Sequence, residues 1–441
     1  MSHPPSVPPG SSLLRNAVAA VAAFSVYFCM YAFRKPFTAA TLEGEQWMHY
    51  ALKTVLVLAQ LSGYMLSKFI GIKLVSEMPR HRRAVSIVVL IVIAELALVG
   101  YAYAPIPAKI LMLFLNGLPL GVIFGLVLAY LEGRCHTEAM SAILCGSFIA
   151  SSGFVKSVGR ALMTHLGVSE FQMPYLTGLV FLLPLLVSVW VLDRTPEPSA
   201  QDIRQRSRRA LMDAATRWQF FRAYAPGFVL LIAIYTALTV IRTIRDDFGV
   251  EIWQELGVVE QPSVFARSET LVAIIVTALS GLAIAIRDNL RALTTVFGCM
   301  LFGFVMIGVA IFLQRQGAIA PFPFMVVCGV GLYIPYVNFH TAVFERIVAA
   351  SPRPANIGFL MYLADSIGYL GYAIFAFSQL RFPLESGFLG IFITATLVTI
   401  GGSVVALLVC LVYFPKVLSR RDSEVPPSSS GRPQAPVAAS T

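Results

Sequence analysis

Long apolar runs separated by short polar segments make up most of the chain. The runs are continuous rather than alternating, which favours membrane-spanning helices over the strands of a β-barrel. An apolar helix of about 20 residues is long enough to cross a bilayer. The pattern predicts twelve such helices, called spans 1 to 12 in chain order. Their predicted bounds are 16–42, 50–72, 84–104, 107–132, 141–163, 174–192, 226–247, 268–287, 293–314, 321–345, 355–380 and 386–414.

Composition also indicates an integral membrane protein. Hydrophobic residues make up 57% of the chain and charged residues 13%, whereas soluble domains average about 45–50% and about 25%. The first apolar run is too long for a signal-peptide core, so it is interpreted as a retained helix. The six cysteines show no metal-ligand spacing. We therefore expect no metal and no cofactor, and the absence of hydrolase and nucleotide-binding motifs argues against an enzyme.

A polar, arginine-rich segment divides the predicted spans into two sets of six, a layout typical of two-bundle transporters. The predicted fold class is therefore an all-α membrane protein of twelve transmembrane helices in two six-helix bundles. The predicted segments are a cytoplasmic tail (1–15), a first bundle (16–192), a basic linker (193–225), a second bundle (226–414) and a disordered tail (415–441).

Basic residues exceed acidic residues by 33 to 23, which gives a net charge of +10. Most basic loop residues lie on the same side as the N-terminus, and the positive-inside rule then puts both termini in the cytoplasm. This bias explains the excess without a nucleic-acid partner. The heavy use of arginine suggests a bacterium. We expect a monomer in the inner membrane, with the lipid bilayer as its surroundings.

Charged residues inside the predicted spans mark candidate chemistry, because each costs about 2.5–3.5 kcal/mol near a helix centre unless it faces a cavity or a partner. The basic members are Arg34, Lys35, Lys68, Lys156, Arg160, Arg242 and Arg245. The acidic members are Glu95, Asp246, Asp247, Glu269 and Asp365. The basic members outnumber the acidic ones, which favours an anionic rather than a cationic solute.

Two pairs of basic residues, Arg34 with Lys35 and Arg242 with Arg245, each allow two interpretations. Arg34 and Lys35 fall in the half of span 1 away from the N-terminus, where Pro36 can kink the helix; they either bind a ligand or mark the membrane boundary. The apolar run before Arg242 is too short to cross the bilayer. Arg242 and Arg245 are therefore carried into the membrane, and Arg242 can also pair with Asp246 one turn later.

The first helix of each half carries the same spacing. Tyr27 precedes Arg34 by seven residues, and Tyr235 precedes Arg242 by seven, so each tyrosine shares a helix face with its arginine. If a pseudo-twofold axis relates the halves, the two arginines face one central cavity, with Tyr31 as a further hydrogen-bond donor. Two guanidinium groups suit a doubly charged oxyanion, which they can bind with bidentate forks.

Other polar residues suggest coupling and gating. Asp365 either pairs with Lys68 or binds a proton, and Asn338 and His340 of span 10 can line the cavity or serve only in packing. Glu132 and Glu345 are candidate cytoplasmic gate residues, with Arg82, Arg83, Arg287 and Arg291 as partners, or are solvated helix ends. Repeated glycines at 117, 121 and 125 predict close helix packing. Pro119 and Pro335 are expected to bend spans 4 and 10.

Several short motifs resemble the organophosphate:phosphate antiporters, a branch of the major facilitator superfamily. They are the segments YAFRKPF (31–37) on span 1, GYMLSKFI (63–70) on span 2, VIR (240–242) on span 7, DRTP (193–196) after span 6 and GYLG (368–371) on span 11. Each is short, but their order and helix assignment agree over most of the chain. The resemblance implies the major facilitator fold.

The resemblance also implies roles for individual residues. Arg34 and Arg242 match that family's substrate arginines, and Lys68 matches its binding-site lysine. Glu269 stands near an acidic position on helix 8. Where that family has a histidine on helix 5, this chain offers Lys156 and Arg160 instead. The chain thus resembles a divergent member of that branch, from a separate bacterial subfamily.

The sequence therefore predicts a secondary transporter that alternates access around a central arginine-lined site. Its solute would be a small organic anion: a phosphate ester, a phosphonate or a carboxylate. A counter-anion or protons would drive transport. The alternative is a non-transporting receptor that binds a similar anion and signals through its cytoplasmic loops.

Overall fold

The structure is a computed structural model that describes residues 9–131, 134, 137–197, 214–258, 261–284, 286, 288–351, 357–381 and 387–422. Within these residues, twelve helical stretches are long and apolar enough to cross a membrane. Helices suit that environment because each satisfies its own backbone N–H and C=O groups. The predicted all-α architecture with twelve spans is confirmed, and the chain is a multi-pass membrane protein.

Apart from spans 1 and 12, the α-helices that form the spans lie close to the predicted bounds. In order they are Pro9–Met30, Leu52–Glu77, Arg80–Tyr103, Ile106–Leu120 continued by Ile123–Leu131, Thr137–Leu166, Met173–Asp193, Ala225–Asp247, Ser263–Ile284, Asn289–Arg315, Pro321–Asn338 continued by Phe344–Ala350, Ile357–Arg381 and Gly387–Asp422. Additional helices are Ala214–Ala223 and Gly249–Glu255, and a two-stranded hairpin pairs Gln46–Trp47 with Tyr50–Ala51.

Three boundaries differ from the prediction. Helix begins at Pro9 rather than after a tail of 15 residues, and residues 1–8 lie outside the described part. Part of the predicted linker is the helix Ala214–Ala223. Span 12 continues to Asp422, past the predicted start of the disordered tail, and the rest of that tail lies outside the described residues.

The two bundles meet along two pairs of helices. Span 5 packs along span 8, and span 2 packs along span 11. Within the first bundle, span 1 contacts spans 5 and 6 while span 2 contacts span 4. Within the second, span 7 contacts spans 11 and 12. Spans 1 and 7, which carry the candidate arginines, therefore lie beside the helices of the bundle interface.

Span 1 is broken where a continuous helix to residue 42 was predicted. Its α-helix ends at Met30, and two short 3-10 turns follow, Tyr31–Phe33 and Pro36–Ala39. Pro36 lacks an N–H donor and clashes with the preceding turn, so the α-helix cannot continue through it. Arg34 and Lys35 lie between the two turns.

Side chains from other spans satisfy the carbonyl groups that this break exposes. Gln60 of span 2 donates to the carbonyl oxygen of Arg34 at 2.8 Å, and Asn116 of span 4 donates to that of Phe33 at 2.9 Å. Gln60 also donates to Asn116 at 2.7 Å. A buried carbonyl without a partner is costly, so these two amides stabilise the break and fix the position of Arg34.

Spans 4 and 10 are interrupted just after their prolines. Pro119 is followed by a turn at residues 121–122, and Pro335 is followed by the π-helical segment Phe339–Val343. Proline removes a donor from the helical ladder, and single π-helical turns occur often at functional sites. The expected irregularity of both spans is confirmed.

Glycines allow spans 2 and 4 to approach closely, as the small-residue pattern predicted. A Cβ atom at Gly117 would lie 2.2 Å from the carbonyl oxygen of Gln60 and 2.8 Å from the amide nitrogen of Tyr64. Both contacts involve backbone atoms, so a side chain here requires the helices to separate.

We therefore expect Gly117→Ala to destabilise the protein. Overpacking of this kind costs about 1–3 kcal/mol, and the loss is measured as a lower melting temperature of the protein in detergent. Gly308→Ala of span 9 is the matched control, because no atom lies within 4 Å of a Cβ atom at that position. Equal melting temperatures for the two variants would contradict the role of Gly117 in packing.

Candidate functional site

A small cavity lies between the bundles, in the middle of the spans. Its volume of about 20 Å³ is enough for about one water molecule. Aromatic side chains form most of its wall. The lining residues are Tyr27, Tyr31, Tyr64, Lys68, Phe124, Phe148, Arg242, Tyr336, His340, Asp365 and Tyr369.

Arg34 lies behind one wall of this cavity. It is 4% exposed, and its guanidinium carbon stacks 3.6 Å from the centre of the Tyr64 ring. Tyr64 in turn contacts Tyr369 edge to face, with ring centres 5.1 Å apart. A guanidinium held over a ring is stabilised by cation–π attraction.

Arg242 lines the cavity from span 7. It is also 4% exposed, lies over the Tyr336 ring at 4.7 Å, and donates to the hydroxyl oxygen of Tyr369 at 3.2 Å. Tyr31 lies within electrostatic reach of both Arg242 and Arg34. The two arginines thus lie among tyrosines from both bundles, called here the tyrosine cluster: Tyr27, Tyr31, Tyr64, Tyr235, Tyr336 and Tyr369.

Both arginines lack a carboxylate partner. Neither forms an ion pair within the described residues, and the Nε atom of each has no hydrogen-bond partner there. Five other buried cations do pair with carboxylates; they are Lys35, Lys53, Lys68, Lys156 and Arg245. Lys109 instead donates to two carbonyl oxygens. Within the described residues, no carboxylate therefore neutralises the positive charge of these two buried arginines.

Lys68 pairs with Asp365, as one of the two predictions for this aspartate stated. The Nζ–Oδ2 distance is 2.8 Å, and the pair joins span 2 of one bundle to span 11 of the other. The second carboxylate oxygen accepts a hydrogen bond of 2.8 Å from the Tyr235 hydroxyl. This pair is neutral, so the net charge near the cavity comes from Arg34 and Arg242.

A second group of charges crosses the bundle interface near the end of span 1 and the start of span 2, at the end of the interface away from the N-terminus. This far-end ion cluster consists of Lys35, Lys156, Asp246 and Asp247. Lys35 lies 2.5 Å from a carboxylate oxygen of each aspartate, and Lys156 lies 2.9 Å from Asp246. The lysines belong to the first bundle and the aspartates to the second. A parallel contact joins Lys53 to Glu251 nearby.

The alternative pairing of Arg242 with Asp246 is not formed in this structure. Asp246 binds Lys35 and Lys156 instead, and Ser152 also donates to it. Helical spacing favours the Arg242 pair, but two lysines from the facing bundle reach the same carboxylate. Their contacts leave Arg242 free to face the aromatic cluster.

The remaining predicted site residues lie away from the cavity. Arg245 pairs with Glu269 at 2.7 Å and donates to the carbonyl oxygen of Met325. Arg160 lines a separate small pocket beside the helix Gly249–Glu255. Lys35, a predicted binding residue, lies in the far-end ion cluster instead.

The predicted cytoplasmic gate is only partly covered by the structure. Glu132 and Arg287 lie outside the described residues. Glu345 lies in the helix Phe344–Ala350, next to Arg346, whose Nη1 atom donates to Asn289 at 3.1 Å. Arg83 donates to the carbonyl oxygen of Ala129 within its own bundle. The gate at this end stays a prediction.

Sequence reasoning missed two kinds of residue. Tyr64 and Tyr369 organise the arginine cluster, and both follow a glycine in motifs quoted for the family resemblance. This repeated Gly-Tyr pair, once on span 2 and once on span 11, was the feature of the sequence that could have indicated them. Gln60 and Asn116 hold the break in span 1, and only the packing of spans 2 and 4 against span 1 reveals their role.

The fold defines the class of protein. A solved structure, the crystal structure of D-xylose-proton symporter, superposes with a TM-score of 0.61 and 14% sequence identity, over 92% of this chain and 99% of that one. This likeness shows that the chain has the major facilitator fold, as predicted.

A protein family matches most of the sequence. The family is DUF5690, described as a family of unknown function, and the match covers residues 36–417. The protein belongs to this family. No curated protein matches the sequence.

Proposed function

We propose that this protein is a secondary transporter that moves a small, doubly charged organic anion across the membrane by alternating access. The observation that carries the proposal is the pair of buried arginines, Arg34 and Arg242, without carboxylate partners in the described part of the chain. Unpaired charges inside a membrane are costly and mark ion or substrate pathways.

Charge balance narrows the class of solute that the site can bind. Lys68 and Asp365 neutralise each other, so Arg34 and Arg242 leave two positive charges near the cavity. A dianion such as a phosphate ester, a phosphonate or a dicarboxylate would neutralise both. Guanidinium groups bind such oxyanions through parallel N–H···O bonds. Hydroxyl groups of Tyr27 and Tyr31, which line the cavity, would donate further hydrogen bonds, whereas the Tyr235 hydroxyl, also predicted as a donor to the anion, donates to Asp365.

The size of the cavity supports alternating access rather than a fixed pore. A space of about 20 Å³ holds water but no organic anion, so the solute enters only when the bundles separate. Ion pairs that cross the interface, at Lys68–Asp365 and in the far-end ion cluster, would break and re-form during that movement. The D-xylose-proton symporter supports the class of secondary transporter through its similar fold.

The orientation of the protein in the membrane follows from the charge bias of its loops. We place the protein in the inner membrane of a bacterium, with both termini in the cytoplasm. The far-end ion cluster would then close the cavity on the periplasmic side. Antiport against phosphate, which the family resemblance implies, stays one of two options for energy coupling.

The test is solute exchange in proteoliposomes. Vesicles containing the purified protein and unlabelled solute are given trace labelled glycerol phosphate, inorganic phosphate, succinate or D-xylose. We expect at least one of the three anions to accumulate by exchange, while the neutral sugar does not. Exchange of the sugar alone, or of none of the four solutes, would rule out the proposed anion transporter.

A further inference from the structure

His340 occupies a special place in the cavity wall. It belongs to the π-helical segment Phe339–Val343 of span 10 and lines the cavity directly. A π-helical turn inserts an extra residue into the helical ladder, which redirects the side chains that follow. The anion site described above makes no use of this histidine.

The ring nitrogens of His340 have different neighbours. Nδ1 lies 3.1 Å from the carbonyl oxygen of Tyr336, which can only accept, so Nδ1 carries the hydrogen in the neutral ring. Nε2 lies 3.4 Å from the hydroxyl oxygen of Tyr235. In this tautomer Nε2 has a free lone pair, which can take a proton.

Tyr235 connects the histidine to Asp365. Its hydroxyl group has one hydrogen and two acceptors within reach, Asp365 Oδ1 at 2.8 Å and the Tyr336 hydroxyl oxygen at 3.1 Å. The hydrogen goes to Asp365, because that contact is shorter and its acceptor is charged, and the Tyr336 hydroxyl can then donate to Tyr235. Protonated Nε2 of His340 could donate to the same hydroxyl oxygen without breaking that bond. A proton on His340 would therefore complete a chain of hydrogen bonds from His340 through Tyr235 to Asp365.

Charged and titratable groups face His340 from several helices. They are Asp365 of span 11, Lys68 of span 2, Arg242 and Tyr235 of span 7, and Tyr336 of span 10 itself. From spans 4 and 5, the rings of Phe124 and Phe148 lie against His340. Asp365 is thus the one carboxylate, within the described residues, that faces this histidine.

We infer that His340, Tyr235 and Asp365 form a proton path in the cavity wall, so that anion uptake is coupled to protons. This inference rests on the proposed function. Water on the open side gives a proton to Nε2 of His340. The proton then passes to the hydroxyl oxygen of Tyr235 while the tyrosine hydrogen moves to Asp365 Oδ1, which leaves His340 neutral and Asp365 protonated.

Anion binding supplies the reason for that transfer. Arg242 and Lys68 line the cavity, whereas Arg34 lies behind the Tyr64 ring. A dianion that enters the cavity therefore competes with Asp365 for Lys68, which pairs with that carboxylate at 2.8 Å in the structure. Asp365 would then be a buried carboxylate without a cation, a state that is costly in a membrane. Taking the proton removes that cost. Release of the anion returns Lys68 to Asp365 and expels the proton on the other side.

The test measures protons and anions together in proteoliposomes that contain a pH-sensitive dye. Glycerol phosphate, inorganic phosphate and succinate are supplied in turn, with the membrane potential held at zero by potassium and valinomycin. We expect the lumen to acidify with each anion that enters. An interior one pH unit more alkaline than the exterior should raise anion accumulation about tenfold for one proton per anion.

His340→Gln separates coupling from binding. Relative to its exchange of labelled anion at equal pH, we expect this variant to lose both the luminal acidification and the accumulation driven by the pH gradient. His165→Gln, at an exposed position near the end of span 5, should behave like the wild type.

The possible failures are distinguishable. Wild-type anion uptake without luminal acidification would overturn the proton path while leaving the proposed transporter intact. The same holds if His340→Gln keeps wild-type accumulation under the pH gradient. No uptake of any anion by the wild type would end both proposals. The dye measurement on the wild type decides the question even if the variant fails to fold.

Discussion

Arg242→Met is expected to weaken anion binding by about 30-fold to several thousand-fold while leaving a folded protein. Removing one partner of a buried, hydrogen-bonded charge pair costs about 2–5 kcal/mol, and each 1.4 kcal/mol is about tenfold in affinity. Methionine fills the space of the arginine stem without its charge. Because Arg242 has no carboxylate partner within the described residues, its loss should not lower the melting temperature of the ligand-free protein.

The dissociation constant for the anion is measured by titration calorimetry. Arg34→Met should behave in the same way, and Arg242→Lys should recover part of the affinity because lysine keeps the charge but not the planar fork. Arg315→Met at the exposed end of span 9 is the matched control. Wild-type affinity in Arg242→Met would remove this arginine from the site, and a strongly lowered melting temperature would indicate a structural role.

Asp246→Asn, unlike Arg242→Met, should destabilise the ligand-free protein strongly. Asp246 contacts both Lys35 and Lys156 in the far-end ion cluster. Without that charge, Lys156 loses its carboxylate partner in the described residues, and Lys35 keeps only Asp247. Breaking a buried ion pair by removing one partner costs about 3–5 kcal/mol, so the melting temperature in detergent should fall by several degrees.

A compensating variant makes this prediction specific. Lys156→Met combined with Asp246→Asn restores neutrality and should recover most of the lost stability. Glu197→Gln is the control, because its contact with Arg80 is 3.9 Å long and its side chain is 77% exposed; exposed pairs contribute about 0–1 kcal/mol. The cluster would lose its assigned role if Asp246→Asn melted at the wild-type temperature, or if the double variant were less stable than the single one.

The sequence predicted the fold well because membrane solvation imposes a strong pattern. Twelve apolar runs gave the spans, and the prolines at 119 and 335 marked the two interrupted helices. The break in span 1 was only half predicted. Pro36 indicated a kink, but the α-helix ends at Met30 because Gln60 and Asn116 supply partners for the freed carbonyl groups. Those partners come from other helices, which local sequence does not reveal.

The candidate site was predicted in part, for similar reasons. Lys68 and Asp365 were paired from the adjacency of their helices in the expected fold, and the structure has that contact. Asp246 was assigned to Arg242 by helical spacing, yet lysines of the facing bundle bind it. The choice among cations depends on which helices face one another. The tyrosine cluster gave only a weak signal because aromatic residues are common in apolar helices.

Ligand-induced stabilisation tests most directly whether Arg34 and Arg242 form an anion site. The purified protein is heated in detergent with inorganic phosphate, sugar phosphates, glycerol phosphate, phosphonates, dicarboxylates or neutral sugars. A ligand at a hundred times its dissociation constant stabilises the folded state by about 2.7 kcal/mol. We expect at least one dianion to raise the melting temperature of the wild type but not of Arg34→Met or Arg242→Met. Stabilisation by a neutral sugar alone, or by an anion equally in wild type and both variants, would contradict the account.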